Sequence, residues 1–391
     1  MTYLDHAATT AVRPEAAQAY ARELAAPGNP SSLHAAGRSA RRRVEESREA
    51  VAAALGAEPG EVIFTAGGTE ADNLAVKGLV LGGRAASPAP ARTRVVVSAV
   101  EHPAVLEAAA WLETEEGAEV HRLGVDAAGV VDLAELEAVL ADGGGRTALV
   151  SVMWANNEVG TLQPLGRVVE LARHHGAAVH SDAVQAVGHV PVDFAASGLD
   201  AMSVSGHKLG APIGVGALLA RRDVTLAAVE HGGGQERGVR SGTVNTAGIC
   251  AFAVALEAAV REREAEAARL AALRDDLVRG VLAAVPGARL SGPPLDGGAR
   301  LPQTAHLTFA GCDADALLFG LDMAGVCASS GSACQAGVQE PSHVLLAMGR
   351  DLAQARSAVR FTLGWTSTAD DVAAVLAALP TVVERARAAA R

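Results

Sequence analysis

LDAMSVSGHKLGAPIGVGALLA, residues 199–220, is the stretch that decides the fold. Two apolar runs, LDAMSVS and GVGALLA, flank a glycine-rich turn that carries one lysine, Lys208. Runs of 4–8 apolar residues bounded by such turns read as buried strands. EVIFTA (61–66), RVVVSAV (94–100), TALVSVMWA (147–155) and GAAVHSDA (176–183) are of the same kind. Amphipathic stretches such as DLAELEAVLAD (132–142) and LGRVVELARHHG (165–176) lie between several of them. Strands alternating with helices predict an α/β fold: a large domain with a mostly parallel sheet flanked by helices. Functional side chains are then expected at the strand ends and in the loops that follow.

After residue 243 the pattern changes. A long helical region (251–285) leads to the Pro/Gly-rich loop SGPPLDGGARLPQT (291–304), then to the strands AHLTFAG (305–311) and AVRFTLG (358–364). Thr368, three residues before Asp371, signals a helix start. These features predict a large domain over residues 13–259 and a smaller α+β domain over 260–391 joined by residues 1–12. GGRAASPAPART (82–93) reads as a surface loop.

Composition narrows the function. The chain has 391 residues, half of them hydrophobic, and a net charge of -11, which opposes general binding to nucleic acid or anionic membrane. RSARRRVEESRE (38–49) interleaves acids with its arginines and reads as a solvated helix face. No apolar run is long enough to span a bilayer, and MTYLDHAATTAVRP lacks a signal-peptide pattern, so a cytoplasmic enzyme is expected. The four cysteines show no metal or redox spacing. Cys250 lies in an apolar helical run, whereas Cys334, in SSGSACQAG (329–337), is in a flexible polar setting. His174, His175 and His180 fit a helix end followed by a strand, and no metal site is expected.

Three stretches carry chemistry. FTAGGTEADNLAVKG (64–78) runs strand, Gly67-Gly68-Thr69, helix, and so offers free backbone N–H groups and a hydroxyl to an anion such as phosphate. Asp182 ends a predicted strand, where it is either a helix cap or a partner for a cationic ring nitrogen. Lys208 follows another strand, where partial burial would make its amine a nucleophile toward aldehydes. A phosphate cradle, an acid for a ring nitrogen and a strand-end lysine are what pyridoxal 5′-phosphate requires. His102, after a third strand, could stack on such a ring or simply cap a helix.

These stretches, with YLDHAATT, GNPSSLH, WANNEVGTLQP, HGGGQERGVRSGT, SSGSACQAG and RFTLG, resemble the cysteine desulfurases, in the class V group of fold-type I pyridoxal-phosphate enzymes. The likeness covers nearly the whole chain in the expected order. It implies a seven-stranded-type sheet in the large domain and a small domain carrying the catalytic cysteine loop. It also implies that Lys208 bonds the cofactor, Asp182 faces its ring nitrogen, and Gln185 and Asn157 lie by its ring hydroxyl. His102 would stack on the ring and help move protons. Gly68, Thr69, Ser205 and His207 would hold the phosphate, joined by Thr243 of a neighbouring subunit in a homodimer. Arg360 and Asn157 would bind the substrate carboxylate, and Asn29 would line the entrance. The implied reaction takes sulfur from L-cysteine, releases L-alanine and leaves a persulfide on Cys334. A sulfur-acceptor protein, an iron–sulfur scaffold or a tRNA-thiolation enzyme, would then take the sulfur. Gln335 departs from the small hydroxyl residue common at that position, and no scaffold-docking tail follows RFTLG. A selenocysteine lyase, another class V lyase or aminotransferase, and a non-catalytic sulfur-relay protein are the rival readings.

Overall fold

A computed structural model describes residues 1–86, 92–142, 145–331 and 341–389. A short strand β1 (Thr2–Tyr3) precedes the main sheet. That sheet comprises β2 (Val62–Thr65), β3 (Arg94–Ser98), β4 (Glu119–Leu123), β5 (Thr147–Ser151), β6 (Ala178–Asp182), β7 (Ala201–Ser205) and β8 (Gly216–Ala220). Their spatial order is β2-β8-β7-β6-β5-β3-β4. β8 alone runs opposite to the other six strands. The alternation predicted from sequence therefore gives a seven-stranded, mostly parallel sheet.

Successive strand residues point to opposite faces, and both faces are covered. Val62, Phe64, Val96, Met202 and Leu219 enter one core, whereas Ile63, Val95, Val97, Ala201 and Leu218 enter the other. The helices Gly68–Ala86 and Pro103–Glu116 cover this second face. The strand absent from the sequence reading is β4, EVHRL, an edge strand with only Leu123 fully buried. An edge strand needs no continuous apolar run, so its sequence carries little signal.

A second unit contains β9 (Ala288–Leu290), β10 (Thr304–Phe309), β11 (Val326–Cys327) and β12 (Ala358–Thr362). β12, β10 and β9 form an antiparallel sheet, and β11 pairs with β1 in parallel. One 39-residue helix, Thr246–Ala284, serves both units. Its residues up to Ala259 pack with the large sheet, and from Leu270 onward they pack with the second core.

Two local expectations change. The helix beginning at Gly68 continues to Ala86, well into the stretch read as a loop, and residues 87–91 lie outside the described ones. The arginine-rich helix Ala35–Leu55 is more than a solvated face: Arg43 pairs with Glu23, and Arg48 forms a two-pronged pair with Glu236 at 2.7 and 2.9 Å. Thr368 does start the last helix, its backbone N–H donating to Asp371 Oδ2 at 2.9 Å.

Beyond β5 the turn is held by Asn156, which is fully buried. Its Nδ2 donates to the Val100 carbonyl at 3.0 Å, and its Oδ1 accepts the amides of Glu158 and Val159, both at 2.9 Å. These bonds tie the loop after β5 to the loop after β3. Asn156→Ala leaves three buried backbone groups unpaired and should destabilise the fold by roughly 2–4 kcal/mol in urea unfolding. A loss below about 0.5 kcal/mol would contradict this bracing role.

Candidate active site

A cavity of about 360 Å³ opens where β2, β3, β5, β6 and β7 end. Gly68, Thr69, His102, Asn157, Asp182, Gln185, Ser205, His207, Lys208 and Arg360 all line it. Residues read separately from five strand ends thus meet in one space.

At one end the chain makes an anion cradle. Gly67 and Gly68 bring β2 to the start of the helix Gly68–Ala86. A Cβ on Gly68 would sit 2.9 Å from Val184 Cγ2 and 3.5 Å from the Ser205 side chain, so glycine permits the close approach. The Ser205 hydroxyl is buried without a partner among the described residues. An unpaired buried donor costs free energy, and an anion at the helix N-terminus would satisfy it. His207 borders the cradle with Nδ1 3.2 Å from Thr9 Oγ1, and burial pushes its pKa down to about 4.

Lys208 is one of only two lysines in the chain. The other, Lys77, lies over the Trp111 ring at 4.6 Å. Lys208 Nζ donates to the carbonyls of Ala7 and Ala8, the latter at 2.7 Å. Burial, followed by the nearby Arg360 charge, pushes its pKa down to about 8. Its neutral, nucleophilic form is therefore far more accessible than that of a solvated lysine.

Asp182 ends β6 and accepts the Val184 amide at 2.8 Å. Burial raises its pKa, while His102, the Val184 amide and Lys208 oppose that shift. Its charged form thus calls for a cation, which a protonated ring nitrogen would supply. Gln185 donates to the Ala7 carbonyl at 3.0 Å. His102 caps the helix Pro103–Glu116, its Nδ1 accepting the Ala104 amide at 3.1 Å, and burial lowers its pKa. Cradle, half-buried amine and buried acid fit the chemistry of pyridoxal phosphate.

At the other end, Arg360 donates to the Asn157 carbonyl at 2.9 Å and to Asp5 Oδ1 at 2.8 Å. Its Nε is buried and unpartnered among the described residues. The sequence reading singled out neither Asp5 nor the four further residues around this cavity: Asp72, Glu101, Glu158 and His343. Burial raises the pKa values of Asp72 and Glu101 well above the carboxylate range, and Asp182 adds to both shifts. His180, 3.7 Å from Asp72, lies between Ser151 Oγ and Ser203 Oγ at 2.9 Å each. Burial pushes its pKa down to about 3, so it is a core histidine. Glu101 and Glu158 directly adjoin His102 and Asn157 in sequence, which is the signal that could have found them.

Two expected residues are elsewhere. Asn29 and Thr243 are exposed and line a separate cavity with Arg48 and Glu236, so within one chain neither joins Lys208. Cys334 and Gln335 lie outside the described residues.

Comparison with known proteins shows which family the chain is similar to. Residues 2–375 match the family described as aminotransferase class-V. An IscS-like cysteine desulfurase of Mycobacterium tuberculosis is 54% identical over 390 residues, covering 100% of this chain and 98% of the relative. A cysteine desulfurase of Cereibacter sphaeroides is 45% identical, covering 99% and 96%. Among solved structures, a NifS-like protein superposes with a TM-score of 0.89 at 35% identity, covering 98% of this chain and 99% of that one. A NifS-like protein from Rickettsia africae gives 0.87 at 32% identity, again covering 98% and 99%.

The depressed Lys208 pKa is open to direct test. Labelling the cofactor-free protein with an amine-acylating reagent across pH should give a Lys208 reactivity midpoint near 8. A midpoint at the ordinary 10.5 would contradict the burial argument.

Proposed function

The chain belongs to the aminotransferase class-V family and, within it, to the cysteine desulfurases, and we propose that it takes sulfur from L-cysteine in the cavity around Lys208. Its cofactor is pyridoxal 5′-phosphate, which when bound supplies a ring that accepts electrons released at the substrate's α-carbon. One observation carries the placement: a half-buried amine, a buried acid and a glycine-opened anion cradle share one cavity with a buried arginine.

In this reading Lys208 would hold the cofactor through its aldehyde carbon, Asp182 would serve its ring nitrogen, and Gln185 and Asn157 would serve its ring hydroxyl. Gly68, Thr69, Ser205 and His207 would hold the phosphate, and His102 would hold the ring. Arg360 takes the substrate carboxylate with the donors left over by Asp5 and Asn157, a task suited to a planar fork of N–H groups. The Cys334 thiolate forms a bond to the substrate's sulfur while the carbon–sulfur bond breaks. The carbon keeps that electron pair and takes up a proton, giving L-alanine, and Cys334 keeps the sulfur as a persulfide.

Residues 13–259 would then be the cofactor-holding unit, and residues 1–12 with 260–391 the unit carrying Cys334. The exposure of Thr243 and Asn29 supports a homodimer in which each serves the neighbouring subunit's cavity. The acceptor would be an iron–sulfur scaffold or a tRNA-thiolation enzyme, in the cytoplasm. No helix of the described residues is long and apolar enough to cross a membrane.

Borohydride reduction of the cofactor-loaded protein should fix the cofactor on the Lys208 peptide, and L-cysteine should yield L-alanine. Lys208→Ala should abolish both. Cofactor fixed on Lys77, or alanine formed by the Lys208→Ala protein, would contradict the assignment. Arg360→Lys should raise KM for L-cysteine by roughly 10–100-fold with a smaller change in kcat, since a point charge replaces a two-pronged clamp. An unchanged KM would remove Arg360 from carboxylate binding.

A further inference from the structure

Arg360 already holds a carboxylate of its own chain. Its Nη2 donates to Asp5 Oδ1 at 2.8 Å, and among the described residues Asp5 is the only acid paired with it. Both side chains are shielded, with exposures of 5% for Arg360 and 21% for Asp5. Arg360 lines the cavity around Lys208, whereas Asp5 is not among the lining residues. Asp5 therefore acts on what binds there through the guanidinium.

The backbone pins Asp5 beside β12. The Thr362 amide donates to the Leu4 carbonyl at 2.8 Å, and the His6 amide to the Thr362 carbonyl at 3.3 Å, one bond on each side of it. The Asp5 carbonyl accepts the Ala8 amide at 3.0 Å and the Tyr3 hydroxyl at 3.1 Å. Held in this way, the Asp5 carboxylate stays beside the guanidinium when a second carboxylate reaches it. The two then share one cation, and like charges so close repel. The other titratable groups whose fields meet that of Arg360 are Tyr3, Glu158, Lys208 and His306. Of these, Glu158 is engaged by the Ser342 hydroxyl instead.

We propose that Asp5 is a charge-balancing residue that acts through Arg360, a role that rests on the cysteine desulfurase reading. Its carboxylate loosens the clamp's hold on the substrate and product carboxylates, so that L-alanine leaves. Without that charge the buried guanidinium would hold any carboxylate more tightly.

Asp5→Asn keeps an oxygen for Arg360 Nη2 and removes the charge. L-alanine and L-alaninamide are each titrated into the cofactor-loaded protein and followed by the absorbance of the bound cofactor. The two ligands differ at the carboxylate, so the ratio of their dissociation constants reports the clamp. Asp5→Asn should favour L-alanine over the amide by roughly 10-fold more than the wild type does, the scale of one neighbouring charge. A packing role for Asp5 would move both ligands together. A second readout needs no ligand. The Asp5 charge raises the Lys208 pKa, so acylation of Lys208 in the cofactor-free Asp5→Asn protein should have its midpoint below about 8. An unchanged or reversed ratio, or a Lys208 midpoint that does not fall, would overturn the role and leave the desulfurase reading standing. Wild-type protein that forms no L-alanine from L-cysteine would overturn that reading, and this role with it.

Discussion

The hydrogen bonds from Lys208 to the carbonyls of Ala7 and Ala8 hold the rest of the site in relation to the N-terminal segment. That segment runs between the two cores. Leu4 donates to the Cys327 carbonyl and accepts from the Thr362 amide, so it is stitched to the smaller sheets. A few residues on, Thr10 donates to the His207 carbonyl and Arg13 to the Gly210 carbonyl, on the turn that carries Lys208. Arg13 also pairs with Glu262 at 2.6 Å, midway along the helix shared by both units. A dozen residues thus fix Lys208, on the large sheet, relative to Arg360, on the small one.

Burial then sets the protonation of each group. The parallel strands end at one edge of the sheet, so side chains from distant parts of the sequence share a region of low dielectric. There Lys208 loses basicity, Asp182 becomes a weaker acid, and Asp72 and Glu101 are pushed further in the same direction. These shifts act on one another: a cation bound at Asp182 offsets the cost of its charge and bears on Asp72 and Glu101 through the same field. Pairs of groups whose environments push their pKa values apart are how one fold runs acid and base chemistry together.

Much of this was legible in the residues. Buried strands such as RVVVS and TALVS announce themselves by continuous apolar runs, and the last residues of such strands are where Asp182 and Ser205 stand. EVHRL was not legible, because an edge strand buries too little to demand an apolar run. Asp72 was hidden because an acid four residues into a helix looks like a surface residue favoured by the helix dipole. Its burial follows only from the packing of that helix against the sheet. His343 was hidden for another reason: its ring is held by a carbonyl 242 residues away in sequence. The placement of Asn29 in a cavity apart from Lys208 could not be read from its motif, whereas Thr243 was already expected to stand away from its own chain's Lys208.

The most direct measurement is mass spectrometry of the cofactor-loaded protein after brief exposure to L-cysteine without reductant, with alanine assayed in parallel. The account predicts one extra sulfur atom on the peptide containing Cys334, formed in step with L-alanine. Alanine without sulfur on Cys334, or sulfur carried instead by Cys250, Cys312 or Cys327, would contradict it.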